Sequence, residues 1–546
     1  MIADKILEII KETQPKSTLT FWEKSFNLLK KETQALSFVD KKQVYNQSLE
    51  RALQAARKGA RTEFICAVLF FDLVKTKHLT TKKIRQETNN NTADFVKCYV
   101  FAEESLPEKS LLDHSYRTSL KLASIKTNFP TICAAMLHEV PVHTEIKIED
   151  LEKLFNKEIA TLVKQFLNIK TIKSSNNAQY IHHLREMVVA MAQDLRVIII
   201  KMCSNIDRME LYGSVYSNKK LHEVATESLE ILAPLANMLG IWELRWQLED
   251  LSFKILQPEE YKKINQRFDV DERKNRQKYI QKTTAQIKKV ANEANINCQI
   301  AGRFKHFYSI YQKMKLKKKS FNDICDVFAL RVIVNNEDDC YRMMGLIHRL
   351  WRPKKRRIKD YIAAPKTNNY RSLHTTVFGL NGRPTEFQIR TKEMDDIANF
   401  GIAAHWFYKN PKRKTPEWMH ELLIQQQQYK KDEEFLSEFS SKILRDRIYV
   451  YTPKGDVIAL PTSATPIDFA YAIHSQVGHK CSSALVNDMK APLDKVLTTN
   501  DVVEIVVNRQ QAGPRAEWLN FVQTNAAQKH IQEYLDQFPI ERAFRL

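Results

Sequence analysis

Glycine is scarce, with only 11 glycines in 546 residues. A fold that needs many tight glycine turns, such as a β-propeller or a glycine-rich dinucleotide site, is therefore disfavoured. The eight cysteines are dispersed without a C-x-x-C pair, which indicates neither a zinc ribbon nor a disulfide framework and fits a reducing cytosol. The most apolar stretches, such as 64–73, are shorter than the roughly 18–20 residues of a spanning helix. No signal peptide is recognisable, so the sequence predicts a soluble, cytoplasmic protein without a membrane partner.

Positive charge is in excess, and it is localised. The chain has 85 Lys and Arg against 64 Asp and Glu, a formal net charge of +21. Residues 301–409 hold 22 Lys and Arg against 10 Asp and Glu, which is more than half of the excess. A basic surface favours a partner that carries phosphates, such as a nucleotide or an RNA, although a merely solvated basic surface gives the same count.

The hydrophobic pattern changes along the chain. Residues 1–255 have apolar residues at three- and four-residue spacing, which predicts an all-α domain, and 256–300 read as a helical connector. Residues 301–410 mix β-branched runs with helical segments and predict an α/β domain. A polar helical linker, a small β-rich domain and the start of a helical region are predicted at 411–445, 446–509 and 510–546.

Two predicted strands of the α/β segment carry carboxylates. Asp326 begins the apolar run 325–334, which also contains Arg331. In the second strand, alternation places Glu386, Gln388 and Arg390 on one face. Two strand carboxylates among many cations favour Mg²⁺-dependent phosphoryl transfer, in which a carboxylate accepts the proton of the attacking hydroxyl. A structural ion pair between Asp326 and Arg331 is the alternative.

Further polar groups lie before and between these strands. Arg303, Lys305 and Lys313 recur around a predicted helix start and are suited to holding a triphosphate, although basic helix faces are often only solvated. The loop 357–376 combines turn residues, polar side chains and Tyr370, which could stack on a base or simply pack.

The chain resembles the synthetase domain of the long RelA/SpoT (Rel) family at residues 302–326, 357–376, 386–391 and 403–409. The resemblance implies a nucleotidyltransferase-like fold that transfers pyrophosphate from ATP to the 3′-hydroxyl of GDP or GTP in the stringent response. It implies Mg²⁺ as cofactor, held by Asp326 and Glu386, the catalytic carboxylates. By position, the ATP side comprises Arg303, Lys305, Ser309, Lys313 and Arg331, and the acceptor side comprises Lys366, Asn368, Tyr370, His374 and Gln388. Asn399 stands where the family usually has Glu.

Residues 114–253 resemble the HD-type hydrolase domain of the same family, with part of its active-site set replaced. An active member needs two His and two Asp around Mn²⁺ and a Glu-Asp pair that orients water. Here His114 and His138 align, but the other positions hold Glu139, Val142, His143 and Ser204. This set predicts a catalytically inactive, regulatory domain. A shift of register that brings in Asp207 is the alternative.

Residues 446–508 resemble the family's TGS (β-grasp-like) domain, which implies uncharged tRNA and the ribosome as partners through His474 or His479. The basic quartet Arg357–Asp360 is typical of bifunctional family members. The sequence therefore predicts a GTP/GDP pyrophosphokinase, with a bifunctional synthetase/hydrolase as one alternative and a non-catalytic tRNA- or ribosome-binding regulator as another.

Overall fold

The structure is a computed structural model of the chain. It describes residues 2–14, 18–34, 38–75, 79–169, 187, 193–211, 217–267, 270–304, 306–317, 328–355, 357–363, 365, 370–401, 447–453, 457–498, 501–508 and 513–537. The chain divides into two compact units, Met1–Leu423 and Ile424–Leu546, each with a hydrophobic core of its own. In these ranges, no helix has both the length and the apolar character needed to cross a bilayer.

Helices build the N-terminal part of the first unit. Polar side chains fix several of their starts: Asn89, Asn128 and Asn156 each accept a hydrogen bond from the backbone N–H three residues further on. The first helices are α1 (Ile2–Thr13), α2 (Leu19–Thr33), α3 (Phe38–Arg57), α4 (Thr62–Val68), α5 (Phe71–Lys75), α6 (Thr81–Glu87), α7 (Asn90–Ser105), α8 (Lys109–Ser124), α9 (Phe129–Leu137), α10 (Val140–His143), α11 (Ile148–Leu154) and α12 (Lys157–Asn168).

The helix α13 (Leu195–Glu210) is the centre of this part. It begins at Asp194, whose carboxylate accepts from the backbone N–H of Arg196, and it is buried over most of its length against α8, α9 and α12. It is followed by α14 (Asn218–Glu227), a π-helical turn (Ser228–Leu232), α15 (Ala233–Met238), α16 (Trp242–Leu256) and α17 (Pro258–Gln266). The prediction of an all-α domain is confirmed.

A five-stranded mixed sheet forms the second part of the first unit. Its strands are β1 (Cys298–Phe304), β2 (Phe328–Val334), β3 (Lys359–Asp360), β4 (Leu373–Phe378) and β5 (Pro384–Thr391). The order is β1-β2-β5-β4-β3, and only the β2–β5 pairing is parallel among them. The helices are α18 (Val270–Glu293), α19 (Phe307–Lys317), α20 (Glu337–Leu350) and α21 (Lys392–Phe400). The prediction of an α/β domain is confirmed.

One face of this sheet is the core. Phe387 and Ile389 of β5 are fully buried, together with Ile347 of α20 and Ile287 of α18. Residues 256–300, predicted as a connector, therefore include a helix that packs on the sheet. Apolar residues at alternate positions of β5 fill one face, so the polar residues between them must lie on the other.

Helix α16 of the N-terminal part packs against α19 and α21 of the sheet part. Asp250 of α16 accepts hydrogen bonds from the backbone N–H groups of Phe307 and Tyr308 and so caps α19. Gly401 has φ +52°, and a Cβ at this position would lie 2.1 Å from the carbonyl oxygen of Leu239. The two parts are in close contact beside the polar face of the sheet.

The second unit is a small β-rich domain, as predicted. It contains the hairpin β6 (Arg447–Tyr451) and β7 (Val457–Pro461), the sheet of β8 (Cys481–Val486), β9 (Met489–Ala491) and β10 (Val503–Val507), and the helices α22 (Pro466–Ile473), α23 (Ser475–His479) and α24 (Asn525–Gln537). Asp468 caps α22 and also accepts from the backbone N–H groups of Gln523 and Thr524. This carboxylate joins the β-rich part to the segment before α24.

Candidate active site

Three neighbouring strands carry the polar face of the sheet. Arg331 of β2 lies beside Gln388 of β5, and Gln388 lies beside His374 of β4. Glu386 is two residues before Gln388 and therefore shares its face. The alternation predicted for β5 is observed, and it brings one carboxylate, one amide and one imidazole together.

Hydrogen-bond partners surround Glu386 at the end of this row. Gln388 Nε2 donates to Glu386 Oε1 over 3.1 Å, and His374 Nδ1 lies 3.4 Å from the same oxygen. The Tyr370 hydroxyl lies 2.8 Å from His374 Nε2. The Glu386 side chain is 21% exposed, so the carboxylate is held in place and still reaches solvent. This Tyr370–His374–Glu386 network can position a carboxylate for proton transfer.

The ring of Tyr370 is itself held by its surroundings. The guanidinium carbon of Arg390 lies 5.9 Å from its ring centroid, and the ring of Tyr361 approaches it at 6.0 Å and 70°. Tyr361 also meets the ring of His374 edge-on at 5.2 Å. Tyr370 is half-buried. An oriented aromatic ring of this kind suits the stacking role that the resemblance implies.

A buried carboxylate that the sequence analysis missed links two of the strand arginines. Asp395 Oδ1 lies 3.1 Å from Arg331 Nη1 and 2.7 Å from Arg390 Nη2. Asn399 Nδ2 donates to Asp395 Oδ2 over 3.0 Å. Asp395 stands in the first turn of α21, where an acidic residue reads as a helix-dipole partner. Only the tertiary structure shows that it neutralises the strand cations.

A cavity of about 200 Å³ opens next to this network. The sheet part contributes Arg331, Tyr370, His374, Gln388, Arg390, Ile397, Ala398 and Asn399 to its wall. The N-terminal part contributes Asn237, Gly240, Trp242 and Arg245. The guanidinium of Arg245 is oriented by Glu249, at 2.7 Å, and by Asn237, at 2.5 Å. These helical residues were not predicted as part of the site.

The residues predicted to bind ATP are described in part. Ser309 and Lys313 are half-buried on α19, whose other side chains, Ile310 among them, pack against Phe253 and Ile264. Arg303 lies on β1 beside Ala329, which is itself beside Glu386. Lys305, Asp326, Lys366 and Asn368 lie outside the described residues, as does the side chain of Arg303.

A second polar cluster lies in the helical part, at the predicted hydrolase positions. Donor atoms of His114, His138 and Glu139 all lie within 4.8 Å of one another, and all three side chains are buried. His143 Nε2 lies 3.1 Å from Glu139 Oε2. Val142 is 55% exposed. The structure thus brings the aligned histidines and Glu139 together, while Val142 has no group that can orient water.

Arginine side chains form ion pairs with the two carboxylates of this cluster. Arg208 Nη2 donates to Glu139 Oε1 over 2.9 Å. Arg117 donates to both oxygens of Asp207, at 2.6 and 3.2 Å, and His114 Nδ1 lies 2.6 Å from Asp207 Oδ2. Ser204 Oγ lies 3.1 Å from the other nitrogen of His114, Nε2. Asp207 therefore contacts Nδ1 of His114, on the opposite side of the ring from Ser204. The register shift that would make Asp207 a metal ligand is not observed.

The pKa shifts of the cluster follow from burial and these partners. Burial lowers the pKa of His114 to about 4 against the opposing effect of the hydrogen bond that its ring donates to Asp207, so its imidazole is neutral near pH 7. Burial would raise the pKa of Glu139, but His138, Arg208 and His114 together hold it below its usual value. Asp207 likewise stays ionised against its burial, because His114 and Arg117 lower its pKa.

The two clusters differ in how well they fit a divalent cation. Glu386 offers a hard carboxylate oxygen that reaches solvent, which suits Mg²⁺. At the helical cluster the Glu139 oxygen already accepts from a guanidinium, and a hydroxyl contacts the His114 nitrogen that faces it. A divalent cation would stand next to Arg208, so the residues of the helical cluster do not fit one.

The histidines of the second unit have different surroundings. His474 is exposed, and its Nδ1 accepts from the backbone N–H of Gln476. His479 is half-buried among the rings of Tyr471 and Tyr534, with centroids at 5.6 and 5.1 Å. Burial lowers the pKa of His479. Of the two, His474 is therefore the more accessible to a partner.

Three family models match the chain. The model of the region found in RelA/SpoT proteins matches residues 302–413, an HD domain model matches 96–242, and a TGS domain model matches 448–507. Each match coincides with one of the parts described above: the mixed sheet, the helical part with its buried cluster, and the β-rich second unit.

Several curated proteins are similar over most of the chain. The bifunctional (p)ppGpp synthase/hydrolase SpoT of Escherichia coli is 41% identical over 432 residues, which cover 78% of this chain and 61% of that protein. The guanosine-3′,5′-bis(diphosphate) 3′-pyrophosphohydrolase of Aquifex aeolicus is 36% identical, with coverage of 84% and 67%. The GTP pyrophosphokinase of Myxococcus xanthus is 39% identical, with coverage of 80% and 58%. The chain thus spans about three fifths of the length of the E. coli relative.

Proposed function

The chain belongs to the RelA/SpoT family of (p)ppGpp synthetases and hydrolases, and from this premise we propose that it synthesises (p)ppGpp with a hydrolase domain that is inactive. In the proposed reaction, the 3′-hydroxyl oxygen of GDP or GTP attacks the β-phosphorus of ATP. The bond between the β-phosphorus and the oxygen that bridges it to the α-phosphate breaks, and AMP leaves with that oxygen. The observation that carries the proposal is the Tyr370–His374–Glu386 network beside the cavity.

In this reaction Glu386 accepts the proton of the 3′-hydroxyl. Gln388 and His374 fix the orientation of its carboxylate, and Tyr370 fixes His374 in turn. Orientation of this kind is worth a large part of a general base's contribution, because proton transfer requires hydrogen-bond distance to the reacting group. Mg²⁺, with Glu386 and Asp326 as its proposed ligands, would neutralise negative charge on the phosphates.

Cations and polar groups divide between the two nucleotides. We assign Arg303, Lys305, Ser309, Lys313 and Arg331 to ATP. We assign Lys366, Asn368, Tyr370, His374 and Gln388 to the acceptor, with the ring of Tyr370 stacking on guanine. Arg331 and Arg390 share the carboxylate of Asp395, so their guanidinium groups are fixed before a nucleotide enters.

The pairing of the helical cluster supports an inactive hydrolase domain. Its carboxylates accept hydrogen bonds from Arg208 and Arg117, and the hydroxyl of Ser204 contacts the ring of His114. A hydrolase of this type needs a bound divalent cation and a carboxylate that activates water. Val142 and His143 have no carboxylate that could activate water, and His143 instead contacts Glu139.

A paired assay tests the proposal. The purified chain is incubated with ATP, Mg²⁺ and either GDP or GTP, and AMP and the guanosine product are quantified by ion-exchange chromatography. We expect both products in equal amounts, with synthesis lost in E386Q and retained in E393Q, a control at an exposed glutamate of α21. Absence of AMP with either acceptor, or full activity of E386Q, refutes the synthetase proposal.

A bifunctional enzyme is the second candidate. The basic quartet Arg357–Asp360 and the name of the E. coli relative favour it. The two candidates are distinguished by incubating the same sample with ppGpp and Mn²⁺. Release of pyrophosphate at a rate comparable with synthesis supports the bifunctional enzyme, and no release supports the inactive hydrolase domain.

We also propose that the second unit contacts uncharged tRNA on the ribosome through exposed His474, rather than through half-buried His479. The nucleotide and tRNA partners imply a cytoplasmic location. Electrophoretic mobility shifts with deacylated tRNA test the contact: H474A should weaken binding, and equal binding by H474A and the unchanged chain refutes it.

A further inference from the structure

The buried cluster of the helical part contains its own cations. His114 Nε2, His138 Nε2 and Glu139 Oε1 form a compact set of donor atoms of the type that holds a divalent cation. Arg208, on the neighbouring helix α13, reaches the same set and donates to Glu139 Oε1 at 2.9 Å. His138 Nε2 lies 3.2 Å from that oxygen. One carboxylate oxygen therefore accepts a hydrogen bond from a guanidinium and lies close to an imidazole nitrogen.

The second carboxylate of the cluster is matched in the same way. Asp207 is 1% exposed and takes two hydrogen bonds from Arg117, besides its contact with His114. Two guanidinium groups, those of Arg117 and Arg208, thus face two carboxylates, those of Asp207 and Glu139. Each carboxylate therefore already has a positively charged partner, the role that a bound divalent cation would have in an acidic pocket.

We propose that the guanidinium of Arg208 takes the place of the divalent cation in this pocket, which is thereby a metal-independent structural ion-pair cluster. The side chain of Arg208 is 17% exposed and that of Glu139 is 6% exposed, and a cation bound at Glu139 would be repelled by the adjacent guanidinium. This inference deepens the proposed inactivity of the hydrolase domain. It is tested by metal binding and unfolding, so its failure is distinguishable from a failure of the synthesis assay.

The direct test compares R208Q with R208K in the full chain. Glutamine keeps the approximate length of the arginine without its charge, whereas lysine keeps the charge. Free Mn²⁺ is followed by electron paramagnetic resonance during titration of each protein. We expect R208Q to bind one Mn²⁺ more per chain than the unchanged protein, and R208K to bind no more. Mn²⁺ bound at the proposed synthetase site is common to all three and cancels in the comparison.

The melting temperature is the second readout. R208Q should melt several degrees below the unchanged protein without metal, because Glu139 is left buried without its cation. Millimolar MnCl₂ should restore much of this loss in R208Q and change neither the unchanged protein nor R208K. Equal Mn²⁺ uptake by the unchanged protein and R208Q, or uptake gained by R208K as well, overturns the proposal.

A double variant keeps the proposal testable if R208Q does not fold. E139Q leaves the guanidinium of Arg208 buried without its carboxylate and should lower the melting temperature. In E139Q/R208Q both charges are gone, so the double variant should melt above E139Q. A double variant that melts at or below E139Q contradicts the ion-pair cluster.

Discussion

Replacing Asp395 by asparagine is the sharpest test of how the synthetase site is held together. The side chain is nearly the same size, so the change removes one negative charge and leaves the packing. Asp395 is 6% exposed and compensates both Arg331 and Arg390, the latter 2% exposed. In D395N the buried guanidinium of Arg390 and the 20% exposed guanidinium of Arg331 lie beside a neutral amide. Leaving the buried guanidinium of Arg390 without its carboxylate costs far more than the loss of an exposed pair.

The magnitude can be worked from the burial. Breaking a buried ion pair costs about 3–5 kcal/mol, and each kcal/mol lowers the melting temperature of a domain of this size by about 2–4 °C. We therefore expect D395N to melt roughly 10 °C lower in differential scanning calorimetry without nucleotide.

The adjacent residue provides a matched control. Asp396 is 15% exposed and faces Lys126 and Lys392 at 3.5 and 3.4 Å. Pairs of this kind contribute about 0–1 kcal/mol, so D396N should shift the melting temperature by no more than about 4 °C. A shift in D395N no larger than that in D396N would show that Asp395 does not compensate the two strand arginines.

Three further substitutions probe the site. E386Q should reduce the rate of synthesis by about 10²–10⁴-fold while fluorescent guanine nucleotides still bind; unchanged synthesis contradicts the assignment of Glu386 as the base. Arg245 lines the cavity, and if its guanidinium contacts a bound nucleotide, R245A should raise the KM for that nucleotide roughly tenfold or more through loss of a charge-assisted contact. K254A, at an exposed lysine of the same helix, should leave the KM unchanged, and equal KM values in both variants contradict a nucleotide contact by Arg245. Burial raises the pKa of Asp250 to about 6, so the folded chain holds this proton more tightly than the unfolded chain does. The resulting loss of folding stability is absent below about pH 4 and complete above about pH 6. D250N should therefore lessen the decrease in melting temperature across that interval. Parallel plots of melting temperature against pH for D250N and the unchanged protein refute the interpretation.

Local sequence patterns predicted the strands and the faces of their side chains. The alternation in β5 placed Phe387 and Ile389 in the core and Glu386 and Gln388 on the polar face, as observed. The β-rich segment predicted at 446–509 likewise contains the strands β6 to β10. These features depend on neighbouring residues, so the pattern of the chain is sufficient to define them.

Contacts between distant residues could not be predicted in this way. Arg245 and Trp242 look like ordinary helix residues until α16 packs beside the sheet and brings them to the cavity. Arg208 looks like the basic last turn of α13, a position that the helix dipole favours. Its contact with Glu139 spans 69 positions of the sequence. A charged residue at a helix end has a sufficient local explanation, so its partner is visible only in three dimensions.

The basic quartet and the helical cluster point to different activities, and their positions reconcile them. Lys359 of the quartet pairs through β3 with His374 of β4, and Asp360 accepts from the backbone N–H groups of Ile362 and Ala363. The quartet is thus built into the edge of the synthetase sheet, next to the acceptor side of the proposed site. Hydrolysis depends instead on whether Glu139 and its neighbours hold a cation. If Arg208 takes the place of the cation as proposed, a basic quartet is compatible with a chain that synthesises (p)ppGpp and does not hydrolyse it.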